Sequence, residues 1–475
     1  MKTRSTMFLV GLGTLAAVSL LAVPGRAQEQ APPDATPKPA ASALPPLDSG
    51  DDQPSPDQLL PDSRPLTGVQ SQTLGRVESP HSYWEPGFQY SNTIQSTLPG
   101  ESSSGWSSTN YLAATVSLLE QSRASQLAVN YSGGGTFSTD KTLGNGYFHQ
   151  LGFSESLQWA RWQVQFLDQF SYTPDSEFGF GGGTSLGLPG GGISPTAPPT
   201  GLSSGFQTLF TSEGPRYSNN FTTQVVYQLT PRASINASGT YGILRFEQSG
   251  SINDDNDGAN VGYNYQLNKE DTIGVQYSFN RYSYLGLSQA IDDQVISVAY
   301  GKKITGRLAL KLFGGPDITT FKVPIANVSR RTSGSGGGTM SYRFSRVDTS
   351  VSYNHGVTAG SGAFAGSETD SITGNASRQL TRIWRGQVNF GFARNREIVS
   401  NAAAAGLATA FNSYFAGGGL SRPFGANANL SFAYSANIQT GGQVSSCTVP
   451  GCGNTFTQHQ VTLNLQWHTR PLVLR

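Results

Sequence analysis

Charge is scarce in this chain. Asp, Glu, Lys and Arg make up 13% of its 475 residues and balance to a net +1. A surface charged so thinly and evenly has no electrostatic footprint for nucleic acid or for docking on an acidic face. Apolar residues are also few, at 36%, whereas a soluble protein of this length should bury a large core. Beyond Val23 no apolar run is long enough to cross a bilayer as a helix. Cysteine is limited to Cys447 and Cys452, and methionine to three residues. No Walker loop, zinc-ligand spacing or dinucleotide fingerprint occurs, so no cofactor and no metal are expected.

Glycine (57 residues) and aromatic side chains (11%) are abundant instead, and they fall into a period-two pattern. In Ile273-Gly274-Val275-Gln276-Tyr277-Ser278-Phe279-Asn280 the odd positions are apolar and the even ones small or polar. Leu430-Ser431-Phe432-Ala433-Tyr434-Ser435-Ala436-Asn437 repeats the pattern. Successive side chains of a strand point to opposite faces, so each segment is an apolar ribbon backed by a hydrated one. Many such segments predict an all-β chain: a transmembrane antiparallel up-and-down β-barrel, greasy outside and wet inside.

Three regions are expected. Residues 1–27 read as a secretory signal peptide: Lys2 and Arg4 precede an apolar stretch from Met7 to Val23, and Gly25-Arg26-Ala27 fits a small-x-small cleavage site. A membrane-spanning helix is the alternative for that stretch. Residues 28–83 form a Pro- and Asp-rich linker that cannot bury enough apolar surface to offset its ordering cost, and are expected to be a disordered periplasmic arm. Residues 84–475 supply the barrel. Cys447 and Cys452 flank a Pro450-Gly451 turn. In an oxidising compartment they read as a small-loop disulfide, with a metal or redox pair as the alternative.

Short turns are expected at 160–161, 230–232, 268–270, 305–307, 345–347, 381–382 and 422–425, and longer loops near 134–145, 175–216, 248–257, 316–334, 359–368, 396–409 and 440–454. Outer-membrane barrels alternate connections in this way, with the short turns in the periplasm. Trp84, Trp159, Trp162, Trp384 and Trp467 fall beside the short turns or at the chain's ends, and are expected to form a belt at one membrane interface. Trp106 falls in a long loop. Seventeen segments follow about Tyr111, the last at 455–468 and running downward. With both mature termini in the periplasm, an upward strand must precede them, and 84–97 can supply it. The expected count is therefore eighteen. Sixteen is the alternative, if 84–97 or 369–379 stands outside the wall.

The inward face is expected to carry Gln163, Gln165, Gln169, Ser234, Asn236, Ser238, Gln276, Ser278, Gln458, Gln460, Thr462 and Asn464, with the cations Lys311, Arg343 and Arg385. Amides and hydroxyls are what any water-filled lumen needs, and they also exchange hydrogen bonds with sugar hydroxyls. The cations are too sparse for the charged rings of an anion pore. Asp168 breaks the pattern by sharing the apolar face with Val164, Phe166 and Phe170. The five His stand in no short motif with Asp or Ser, and the run Ser333 to Gly338 reads as flexible loop rather than phosphate cradle.

As a whole, residues 84–475 resemble the bacterial outer-membrane β-barrels of the porin-like superfamily. The resemblance lies in the signal, the alternating hairpins and the one-sided Trp belt. It extends to the loop 175–216, about forty residues, which joins the fifth and sixth strands as the constriction loop of general porins does. Ser176-Glu177-Phe178-Gly179 is similar to the acidic-Phe-Gly piece of that loop. The chain departs from many members in lacking a terminal Phe, with Trp467 as a stand-in, and in general form it also resembles barrels found near exopolysaccharide genes of soil bacteria. The resemblance implies an outer-membrane location, contact with outer-membrane lipid and the barrel assembly machinery, and a channel for polar solutes, saccharide or exopolysaccharide among them. The alternatives are a structural or adhesive barrel with a blocked lumen, and, less in keeping with the His pattern, a barrel enzyme.

Overall fold

A computed structural model describes residues 82–96, 105–139, 145–174, 179–180, 209–210, 215–247, 251–325, 328–360, 364–398, 410–425, 427–441 and 456–474. The signal peptide, nearly all of the linker, most of the loop 175–216, and Cys447 and Cys452 lie outside them.

Period-two segments become strands throughout. The first five are β1 (Tyr83–Ser96), β2 (Trp106–Gln121), β3 (Ser125–Ser138), β4 (Asn145–Gln158) and β5 (Trp162–Thr173). A two-residue rung, β6 (Gly179–Phe180) against β7 (Leu209–Phe210), stands apart from the wall. The wall resumes with β8 (Arg216–Thr230), β9 (Ala233–Phe246), β10 (Asp254–Gln266), β11 (Asp271–Tyr284), β12 (Ala290–Lys303), β13 (Leu308–Ile325) and β14 (Val328–Arg343). It continues through β15 (Val347–Thr358), β16 (Ser367–Gln379), β17 (Arg385–Glu397), β18 (Ala410–Phe424), β19 (Ala428–Gly441) and β20 (Phe456–His468), with a short β21 (Leu472–Val473) at the end.

Each wall strand pairs antiparallel with the next, and β1 pairs with β20, so the sheet closes as an eighteen-strand barrel. The sixteen-strand alternative fails because both weak segments are in the wall: β1 carries fourteen residues and β16 thirteen. The closing seam is stitched by Thr93 Oγ1 and Thr462 Oγ1 at 3.1 Å, by the His468 and Glu85 side chains at 2.5 Å, and by β21 paired with Tyr83 and Trp84.

The short turns lie between β8 and β9, β11 and its predecessor, and so on around one rim; that between β18 and β19 falls at 425–427, later than the expected 422–425, because Arg422 to Phe424 still pair with Ala428 to Leu430. The expected loop 316–334 is a larger departure. β13 runs on to Ile325 and β14 starts at Val328, so Pro316, Asp317 and the Ser333–Gly338 run are ladder residues. Gly has no side chain to mark a face, and Pro316 sits on an exposed outward position, so the alternation is invisible there although the backbone pairing continues. The 134–145 loop is likewise shorter than expected, since β3 extends to Ser138.

One face of every strand is enclosed and the other is exposed. On β1, Gln89, Ser91, Thr93 and Gln95 are buried while Phe88 and Ile94 are exposed. The exposed face carries Val261, Tyr277, Val298, Val388, Phe390, Phe432 and Leu463 around the whole circumference. Soluble monomers rarely expose contiguous apolar patches beyond a few hundred Å². A continuous apolar band on a closed barrel is what hydrocarbon surroundings require.

Candidate functional site: the enclosed face of the barrel

The enclosed face is built of amides and hydroxyls held by the register. Gln163, Gln165 and Gln169 on β5 stand opposite Gln158, Ser156 and Gly152 of β4. Asn236 is fully buried and its Oδ1 accepts a bond from Asn264 Nδ2 at 3.0 Å. Gln276 Nε2 donates to Ser278 Oγ at 2.9 Å, and Asn260 Nδ2 donates to the same hydroxyl at 2.8 Å. Ser435 Oγ donates to Gln460 Oε1 at 3.2 Å, Gln458 is buried beside it, and Asn464 faces Ser91 and Ser431. Lys311 faces Gly301 and Thr339, Arg343 Nε donates to Asp348 Oδ1 at 3.0 Å, and Arg385 faces Gln379 and Ser421. Of the residues expected on the inward face, Gln165, Asn236, Gln458, Gln460 and Asn464 are buried, Gln169, Gln276, Lys311, Arg343 and Arg385 are half-buried, and Gln163 is exposed.

Charge along this face is partly zoned, with Arg216 a buried cation at the loop-side start of β8 and Asp348 a carboxylate at the turn side. Arg343 ends β14, Arg385 begins β17 and Lys311 is near the start of β13, so these cations stand toward the short-turn rim. Asp254 begins β10, and Asp293 and Asp317 lie in the parts of β12 and β13 nearer the opposite rim. These three carboxylates are almost wholly buried, and sequence reasoning missed them. The parity of Asp293 with Ser297, on the same face, was available as a signal; Asp317 was hidden by the loop assignment.

The loop-side rim is narrowed from within. Tyr282, Tyr284, Ile291 and Phe321 sit on the enclosed face and pack with Val357 and Ala359 from the end of β15. Tyr282 Oη donates to the Val357 carbonyl at 3.3 Å. Phe364, just before β16, packs with Ala393, Phe411, Phe415 and Ala433 of the three next wall strands, its ring 5.4 Å from that of Phe411. β14 and β15 pair only up to Gly336 and His355, and above that split the β15–β16 hairpin leans inward. β6, in the connection after β5, lies against β19 and β18, six and seven strands away from β5 around the wall.

The remaining singled-out residues are placed as follows. Trp84, Trp159, Trp162 and Trp467 are exposed beside short turns or the seam, and Trp384 ends the turn before β17 with Arg422 stacked 5.6 Å from its ring. Trp106 is exposed at the other rim. Asp168 is on the exposed face, opposite Phe153 and Phe221, and accepts a bond from Asn219 Nδ2 at 3.0 Å. His149 and His459 bond Tyr131 and Tyr434 on that same outer face.

A closed eighteen-strand antiparallel barrel with an apolar exterior is the architecture expected of porin-like outer-membrane barrels. No protein-family model matches the chain, and no curated protein matches it in sequence. Among solved structures it is similar to Pseudomonas aeruginosa OccK2 (OpdF) in complex with glucuronate, at 8% identity and a TM-score of 0.42, over 81% of this chain and 98% of that one. The P. aeruginosa outer membrane protein OpdK matches at 10% identity and 0.42, over 81% and 99%. Acinetobacter baumannii OccAB4 matches at 9% and 0.42, over 82% and 99%.

Proposed function

We propose that the chain is an outer-membrane channel for small polar solutes, with its short turns, Trp belt and termini toward the periplasm. One observation carries the reading: the same strands present a continuous apolar band outward and a face of Gln, Asn, Ser and Thr inward. Lipid can cover the first and water the second, whereas a soluble protein would need the reverse. The hydroxyl and amide lining suits neutral or mildly charged solutes, saccharides or exopolysaccharide segments among them, because such groups trade hydrogen bonds with sugar hydroxyls without holding them tightly. Outer-membrane lipid, an N-terminal export signal and the barrel assembly machinery are the partners this reading needs.

A second reading, a surface barrel with a blocked lumen, draws support from the apolar contacts of Val357, Ala359 and Phe364 at the mouth. Current through single barrels reconstituted in a planar bilayer separates the two. The channel reading expects steady unitary steps that fall when a permeant oligosaccharide is added. A folded, inserted barrel that passes no current sinks it.

A further inference from the structure

The Gly-rich stretch of β14 shapes the outside of the barrel as well as the ladder. Gly334, Gly336 and Gly338 occupy outward positions, and the absence of side chains there leaves a groove of ≈ 650 Å³ on the exterior. That volume is within the range of about 300–1,000 Å³ that holds small ligands. Its walls are Leu310, Leu312, Met340, Val351 and Tyr353, all apolar or aromatic. A plain strand wall would offer lipid a smooth surface; this one offers a trough.

At its loop-side end the groove is closed by His355, and there the chemistry changes. His355 contacts Glu368 at 3.2 Å and Asp370 at 2.7 Å. Arg331 meets Glu368 at 2.7 Å, and Arg396 meets Glu368 and Asp370 at 3.8 and 3.5 Å. Arg394, opposite Asp370 in the ladder, and Arg330, opposite Thr320, are exposed on the same rim. Two guanidinium groups meet the two carboxylates and two more, Arg330 and Arg394, stand on the same rim, so positive charge is in excess. With a strand rise of about 3.3 Å and a tilt near 40°, His355 stands about 20 Å above Val347, close to the outer edge of an apolar band about 25 Å tall.

An apolar trough within the hydrocarbon, capped by surplus arginine at headgroup level, matches an anionic amphiphile end to end. We infer that this face of β13–β16 is a binding site for a phosphate-bearing lipid of the outer leaflet, one acyl chain lying over the glycines and a phosphate on Arg394 and Arg396. The site rests on the barrel standing in the outer membrane and not on its lumen being open, so a barrel silent in conductance leaves it untouched.

The test is native mass spectrometry of the refolded full chain in detergent with diphosphoryl lipid A added. One retained lipid per barrel is expected. Arg394→Gln with Arg396→Gln should lower retention about tenfold, the scale of a lost charge-assisted hydrogen bond. Dephosphorylated lipid A should be retained as poorly. Gly334→Phe projects a ring into the trough from a position where an added Cβ meets nothing within 4 Å, and should lower retention without altering the arginines. Inorganic phosphate alone should give no adduct. Retention that survives the arginine pair, equal retention of the dephosphorylated lipid, a phosphate adduct without lipid, or a dimer of the chain dispersed by Gly334→Phe would each overturn the inference. The arginine variants are on the exposed rim and keep the test decisive should the Gly334 variant not refold.

Discussion

At the scale of single residues, alternation is a code that reads the wall well and flags its own exception. Parity puts Gln165, Asn236, Gln458 and Gln460 each on the small and polar face of its strand, and all four are buried; a side chain on a strand has only two directions to choose between. Asp168 breaks the code and truly faces out, six residues beyond Trp162, which places it about 15 Å above that residue along the barrel axis. Asn219 is its partner at 3.0 Å, a neutral donor that offsets part of the cost of a carboxylate among Phe153, Phe166 and Phe221. Asp168→Leu should raise the unfolding free energy of the barrel, read by urea titration in lipid vesicles, by less than the about 2–4 kcal/mol that basic residues cost at the bilayer midplane. Asp168→Arg should lower it by less than that amount, because the wild-type carboxylate already carries part of the cost. A Leu variant that is less stable, or that breaks up an oligomer of the wild-type chain, would show that Asp168 meets protein rather than lipid.

At the scale of elements, what was legible depended on whether side chains were present to be read. β1 and β16 were found from weak alternation and both joined the wall. The β13–β14 hairpin was lost between residues 316 and 334, where Gly and Pro carry no facial mark, yet its backbone pairs from Leu308 with Tyr342 to Thr320 with Arg330, and a register shift falls only between Thr320 and Ile325. The inward lean of the β15–β16 hairpin was not legible at all. It follows from a meeting of Val357, Ala359 and Phe364 with enclosed aromatics far away in sequence, and short-range periodicity does not record long-range contact. Phe364 is the element's anchor. Phe364→Ala should cost less than the about 3–5 kcal/mol of a core Phe→Ala substitution, because the ring holds a hairpin tip and not the wall. It should also raise unitary conductance and open-channel noise, since an apolar constriction resists wetting. Unchanged current in planar bilayers would mean that the tip does not stand in the conduction path.

At the scale of the whole molecule, closure converts a sheet with two unlike faces into a vessel with two unlike surroundings, and the loop-side and turn-side rims differ in charge as well. Lys311, Arg343 and Arg385 lie toward the short turns, and Asp254, Asp293 and Asp317 toward the loops. In the proposed channel, a solute entering from the loop side meets Asp254, Asp293 and Asp317, with Arg216 among them, before it reaches Lys311, Arg343 and Arg385. Such zoning tunes ion preference through two opposed barriers instead of one charged ring, and removing either zone should expose the other. With a potassium chloride gradient across a planar bilayer, Lys311→Gln with Arg343→Gln and Arg385→Gln should move the reversal potential toward cation preference. Asp293→Asn with Asp317→Asn should move it the opposite way. Arg343 also bonds Asp348 at 3.0 Å, so its neutral variant frees a carboxylate and should contribute the largest single step of the three cation variants. Shifts of the same sign from both sets would mean that charge acts through altered packing of the barrel and not through the field along its axis.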